Sequence, residues 1–308
     1  MAAEDVLNPI PGSLTPPAPP PATPRRRGGW RVGLGVVPFA AYVVVFLGLP
    51  LWMAVSGALT TDDGGFTLHN LTQSVSMPQY RAAFRQSIVL SLWTSGLGAI
   101  FGVWLAYAVV TGPSRGVLRR TVSTASGVLA YFGGVPLAFA FIAALGQTGV
   151  ATIALKHAGL DLYAHGFRID SLTGVGLAYV YFQVPLMVIL ITPALEGLRP
   201  QWREAAEGLG ASAWDYWRTV GIPVLTPAVL GATLLLFGNA FAAYATALAL
   251  VSGTLPLVPS QIQAALSGNV FVGQDHIGLA LGVDMVILIG LLMIGYAILQ
   301  RRDTRWLA

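Results

Sequence analysis

The sequence contains no cysteine, which excludes disulfides, thiolate metal sites and cysteine nucleophiles. It has a single lysine, Lys156, in the run Ala154-Leu155-Lys156-His157. A phosphate-cradling P-loop needs a lysine behind a glycine-rich turn, so that route to nucleotide hydrolysis is excluded. Histidine is also scarce. His69, His157, His165 and His276 are scattered without metal-ligand spacing and read as loop residues. No Ser/His/Asp arrangement, close carboxylate pair or metal cluster stands out, so neither catalysis nor a resident cofactor or metal is expected. Above all, charge is scarce. Only 10% of the 308 residues are charged and 55% are hydrophobic, where a soluble domain carries about 25% charged residues. Such a chain cannot cover itself with water-facing side chains, and lipid is its natural solvent.

Long apolar runs are abundant. They cover Leu34 to Ala54, Ile88 to Val110, Val122 to Leu145, Leu172 to Pro193, Leu225 to Val251 and Ile277 to Leu299. Each is long enough to cross a hydrocarbon core of about 30 Å as a helix. Ahead of them, residues 1–24 hold eight prolines and cannot build a core. Arg25, Arg26, Arg27 and Arg31 follow, an order that mimics a secretory signal, but the first apolar run is long for a signal and reads as an uncleaved span.

With the N-terminus inside, thirteen basic residues fall on inner segments and four (Arg81, Arg85, Lys156 and Arg168) on outer loops. This is the positive-inside pattern. It places both termini in the cytoplasm, agrees with an even number of spans, and accounts for the net charge of +4 without nucleic acid. The expected organisation is a disordered tail over 1–31, an all-α membrane domain of six transmembrane helices over 32–300, and a cytoplasmic tail over 301–308. Pro38, Pro50, Pro136 behind Gly133-Gly134, Pro185 and Gly238 lie within spans, as kinks, close helix contacts or moving parts.

The inner segment 196–223, EGLRPQWREAAEGLGASAWDYWRTVGIP, reads as helix, turn, helix. Pro200 suits a first helical turn. Gly210 ends the helix as a C′ glycine. Ser212 with Asp215 three residues on fits a capping box opening a second short helix to about Val220. Trp202, Trp214, Tyr216 and Trp217 give this connector aromatics that a free loop would not need. A docking element and a hairpin lying on the membrane surface both fit that shape.

The same segment resembles the cytoplasmic EAA loop of ABC importer permeases. Their pattern is Glu-Ala-Ala, three residues, Gly, nine residues, Ile, one residue, Leu-Pro. Here Glu204-Ala205-Ala206, Gly210, Val220, Ile222 and Pro223 keep that spacing, with apolar replacements at Val220 and Ile222. The stretches Phe66 to Asn70 and Pro78 to Ser87 also resemble the family's lead-in to its second span. With the six spans, the resemblance covers roughly residues 32–300. It implies a type I ABC importer permease in a bacterial inner membrane. It further implies partners: a separate ATP-binding subunit that hydrolyses ATP, a second permease subunit (identical or a sister chain), and an extracytoplasmic substrate-binding protein. Glu204, Ala205, Ala206 and Gly210 would then be the contact core of a coupling helix. An ion pair between Glu204 and Arg218 across the hairpin is expected.

For the pathway, Asp284 is the one charged residue inside the six apolar runs. An ionisable group at that depth faces a cavity or a partner, so a cation-attracting group and a structural hydrogen bond are both open. Asn239, with Tyr244 and Thr246 further along, and Gln183 beside Pro185, either line a pathway or join helices. The general look of the spans resembles the polyamine, ferric-ion and thiamine branch, and Asp284 is compatible with a small cation. Rival readings are an ion-driven secondary transporter, which would show more intramembrane charge or inverted repeats, an ABC permease for sugars or another uncharged solute, and a non-transporting scaffold.

Overall fold

The computed structural model describes residues 37–61, 63–112, 116–251, 254–267 and 275–303. The tail expected at 1–31, Arg115, and residues 304–308 of the expected C-terminal tail lie outside the described residues. The chain divides into two compact units, Met1–Pro50 and Leu51–Ala308.

The first apolar segment, α1 (Val37–Ala58), falls across that division. In the first unit it is helical with a π-helical stretch at Val44–Gly48, its side chains are exposed, and Tyr42 stacks on Phe46 at 4.7 Å.

The second unit is all helical, with an isolated bridge between Thr60 and Phe66 as the only β feature among the described residues. Its helices are α2 (His69–Ser76), α3 (Pro78–Thr111), α4 (Val117–Leu129), α5 (Gly134–Leu145), α6 (Val150–His157), α7 (Leu172–Glu196), α8 (Pro200–Gly208), α9 (Ala213–Ala242), α10 (Ala245–Val251), α11 (Val258–Leu266) and α12 (Asp275–Asp303). Six helical segments among the described residues are long and apolar enough to cross a membrane: α1, α3, α5 with α6, α7, α9 and α12.

The centre is the seam between α3 and α7. Small residues let the two backbones approach. A Cβ on Gly98 would sit 2.7 Å from the Gln183 Cβ, and one on Gly102 would sit 2.4 Å from the Met187 Cβ and 2.9 Å from the Val184 carbonyl oxygen. Such contact is how membrane helices gain van der Waals energy where no hydrophobic drive separates them from lipid. Gln183 is buried in this seam with its amide 3.3 Å from the Thr94 hydroxyl, joining helices.

Two expected single spans are interrupted. The run Val122 to Leu145 breaks between α4 and α5, where Gly133 is extended and Gly134 takes φ +74°. Glycine adopts that left-handed backbone without the Cβ penalty. The run Leu225 to Val251 breaks at Ala243, between α9 and α10, with neither glycine nor proline at the break. Tertiary hydrogen bonds hold it instead: Tyr179 donates its hydroxyl to the Ala243 carbonyl at 2.6 Å. The breaks are tied to each other. The Gly134 amide donates to Thr246 Oγ1 at 2.8 Å, and that hydroxyl lies 3.2 Å from the Gly134 carbonyl.

The histidines are mostly not loop residues. His69 opens α2, His157 closes α6, and His276 sits in the first turn of α12, its Nδ1 2.6 Å from the Gly57 carbonyl. Only His165 lies in a turn.

Candidate functional site

The segment 196–223 forms a structured hairpin at the end of α7. Pro200 stands in the first turn of α8, where its missing N–H costs nothing. Gly210 has φ +82°. Around it, the Gly210 amide donates to Glu207 O and the Ala211 amide to Ala206 O, both at 3.0 Å. These two bonds are a Schellman closure. The next helix opens with a capping box: Asp215 N donates to Ser212 Oγ at 3.2 Å, and Ser212 N donates to Asp215 Oδ2 at 3.0 Å.

The second arm differs from the expected short helix ending near Val220. It continues through a π-helical stretch, Trp217–Gly221, straight into the fifth span, so that α9 is unbroken from Ala213 to Ala242. Val220, Ile222 and Pro223 therefore form the root of that span. The root is braced. Trp217 meets Tyr107 of α3 edge-on at 5.4 Å, and a Cβ on Gly221 would sit 2.4 Å from the Trp217 ring. Tyr216 is buried. On the same side, Arg119 of α4 pairs with Glu196 at the end of α7.

The tip faces outward. Glu204, Ala205 and Gly210 are exposed, and Ala206 is half-buried. Leu209 is 89% exposed and Trp214 67% exposed, with Trp202 beside them in exposure at 39%. Large apolar side chains left bare at the end of a polar hairpin mark a surface for another protein or a membrane. The expected ion pair between Glu204 and Arg218 is not formed; Arg203 bonds Glu207 instead, one turn along α8, at 2.8 Å.

The two pathway candidates are not brought together. Asn239 is exposed into a cavity of about 260 Å³ at the paired helix breaks, shared with Gly134, Phe182, Tyr244 and Thr246. Asp284 lines a different groove, between α3 and α12, and its carboxylate accepts a hydrogen bond from Ser74 of α2 at 2.5 Å. Among the described residues there is no group of three or more metal-ligating side chains.

No family model matches the chain. Curated relatives do. The probable sulfate transport system permease protein of Anthoceros angustus is 24% identical over 219 residues, covering 70% of this chain and 70% of the relative. An inner membrane ABC transporter permease of Escherichia coli K12, YdcU, is 27% identical over 221 residues, 65% of this chain and 68% of the relative. Among solved structures, a bacterial ABC transporter that imports the acidic polysaccharide alginate superposes with a TM-score of 0.68 at 16% identity, over 89% of this chain and 96% of the other. In sequence and in fold, this chain is similar to the permease subunits of ABC transporters.

It is a multi-pass membrane protein with the ABC-permease fold; the number of apolar helices among the described residues is the expected six, but the third runs over Gly134–His157 and the fifth over Ala213–Ala242, not over Val122 to Leu145 and Leu225 to Val251. Within the ABC-permease fold, the residues picked out by spacing divide between the outward-facing arm of the hairpin (Glu204, Ala205, Ala206 and Gly210) and the root of the fifth span (Val220, Ile222 and Pro223), whereas Asn239 and Asp284 occupy separate places. Sequence reasoning missed Leu209 as a surface element, because a single leucine before a glycine carries no periodic signal. It also missed the break at Ala243, which depends on a tyrosine 64 residues away.

Proposed function

We propose that this chain is the membrane-spanning permease subunit of an ATP-driven ABC importer. It would form half of a translocation pathway and couple through the 196–223 hairpin to a separate ATPase. The observation that carries this reading is the hairpin itself: the EAA-type spacing from Glu204 to Pro223 falls on a capped, braced structure with a bare apolar tip. Glu204, Ala205, Ala206 and Gly210 form the docking face with Leu209 and Trp214, while Val220, Ile222 and Pro223 join that face to the fifth span. Hydrolysis belongs to the partner. The other partners are a second permease subunit, identical or a sister chain, and an extracytoplasmic binding protein. One alginate transporter structure includes a periplasmic protein bound to an alginate pentasaccharide.

For the substrate, the named relatives favour an anion over the small cation suggested by Asp284. Several curated relatives are sulfate permeases, and Asp284 is already engaged by Ser74. We read the transported solute as a small inorganic oxyanion of the sulfate type. Asn239, at the paired helix breaks, is the pathway residue.

The test is purification of the tagged chain in mild detergent, mass spectrometry of its partners, and uptake of labelled sulfate and putrescine. A co-purifying P-loop ATPase lost on Glu204 and Gly210 substitution, with sulfate uptake, supports the reading. A chain that purifies alone without ATPase activity overturns it, and putrescine uptake overturns the substrate class.

A further inference from the structure

A groove runs between α3, α9 and α12, and no part of the coupling hairpin touches it. At one end it is charged. Arg81 and Arg85, one helical turn apart near the start of α3, line it together with Asp284. Further along it is apolar, bounded by Ile88, Leu288, Leu291 and Leu292, and these four residues also line the next stretch, which reaches Gly295 and Tyr296. The two stretches enclose about 840 and 590 Å³. The charged mouth lies on the membrane face opposite the hairpin, because α3 starts there and ends on the side where Arg119 meets Glu196.

Three observations bear on what fills this groove. Both arginines are exposed, and among the described residues neither makes an ion pair or a side-chain hydrogen bond. With no ion pair to either, two guanidinium groups at the mouth are open to an anion, beside one carboxylate, Asp284, that Ser74 holds by a hydrogen bond. Below them the lining is leucine and isoleucine, with Ser95 and Thr233 as minor polar members. A small inorganic anion would be held at the mouth but would gain nothing from the apolar length beneath. An amphiphile matches both parts.

We propose that this groove binds an anionic phospholipid, its phosphate on Arg81 and Arg85 and an acyl chain along Ile88, Leu288 and Leu291. Two guanidinium forks can each give paired hydrogen bonds to phosphate oxygens. The acyl chain covers leucines that a water-filled pathway would leave bare. The site is independent of the transported solute, and its test does not rest on the importer reading.

The experiment is native mass spectrometry of the full-length chain with its co-purifying subunits, extracted in mild detergent and supplied with phosphatidylglycerol or phosphatidylcholine. The wild type is expected to retain phosphatidylglycerol preferentially. Arg81→Gln with Arg85→Gln is expected to lower that retention by about tenfold or more, the loss of a charge-assisted pair. Gly295→Leu is expected to lower it with both arginines intact, because a side chain there enters open space in the groove. Arg168→Gln, in the loop before α7, is the control and should change nothing. Equal retention in the double variant, or in Gly295→Leu, overturns the proposal. So does displacement of the lipid by sodium sulfate, which would make the arginines a free-oxyanion site. The natural absence of cysteine allows a clean single-cysteine test of the remaining occupant. Efficient cross-linking of Leu92→Cys to a second copy would show the groove covered by protein and would overturn lipid binding.

Discussion

Gly210 offers the sharpest test of the proposed coupling role of the hairpin. Its φ of +82° lies in the left-handed region, where a residue with a Cβ is disfavoured by roughly 1–2 kcal/mol. A Cβ built on Gly210 meets nothing within 4 Å, so the cost of substitution is conformational and not steric. Asparagine tolerates this backbone better than alanine, and a β-branched residue tolerates it worst. A cost of one or two kcal/mol is a factor of about 5–30 in the population of the native turn. Docking that requires the preformed turn loses affinity by the fraction of molecules lacking it, so 5–30-fold is the ceiling for a marginal hairpin. Gly210→Asn, Gly210→Ala and Gly210→Val should therefore weaken ATPase binding and uptake in that order, with normal membrane insertion. The assay is titration of the purified ATPase onto the reconstituted permease, with uptake in parallel. Wild-type affinity for Gly210→Val would refute the argument. Equal losses for asparagine and valine would show that side-chain bulk at the interface matters, not backbone strain.

Three further outcomes follow from local geometry. Ser212→Ala removes the side-chain acceptor of the capping box and should cost about 1 kcal/mol of local stability, read as faster amide exchange over 212–216 with the rest of the chain unchanged. Gly102→Ile should destabilise the α3–α7 seam, because the new side chain meets Met187 and the Val184 backbone. Gly96→Ala on the same helix meets nothing within 4 Å and should be neutral to slightly stabilising, by up to about 1 kcal/mol, so the pair read by thermal denaturation in detergent separates packing from glycine loss by the sign of the shift. Asp284→Asn keeps an oxygen to accept the Ser74 hydroxyl, and sulfate uptake should stay near the wild-type rate. A collapse of uptake with the fold intact would return Asp284 to the pathway.

The features that were legible in the sequence are those written in local pattern. The spans follow from length and the absence of charge. The hairpin follows from Pro200, Gly210 and the Ser212–Asp215 spacing, because each device acts within five residues of itself. The helix break at Gly133-Gly134 has a local signal, paired glycines before Pro136, although the apolar run continues across it and hides the break from hydropathy. The break at Ala243 has none. Its carbonyl is satisfied by Tyr179 of another helix, and a tertiary hydrogen bond leaves no trace in the surrounding residues. The ion pair expected between Glu204 and Arg218 failed for a related reason. Such a pair across a turn depends on how the two arms are set against each other, which residue spacing does not encode, whereas the Arg203–Glu207 pair is local to one helix and follows from i,i+4 spacing.

The continuity of α9 bears on how such a hairpin could act. Thirty residues of helix, Ala213–Ala242, extend about 45 Å at 1.5 Å per residue. The exposed tip adjoins one end. The other end is the break at Ala243, with Asn239 one turn before it and Thr246 just beyond, tied to the break at Gly134. Within this length there are two irregular turns: Trp217–Gly221, where Trp217 is packed against Tyr107 and closed over by Gly221, and the turn at Pro227, which lacks a backbone N–H. A continuous helix would pass on a displacement of the tip, less whatever bends at these two turns. In the proposed importer the displacement would reach the end of the helix at Ala243, a place lined by Asn239, Tyr244, Thr246 and Gly134. In the proposed importer, the hydrogen bonds between Gly134 and Thr246 would then change with it, because they tie the end of α9 to the turn between α4 and α5.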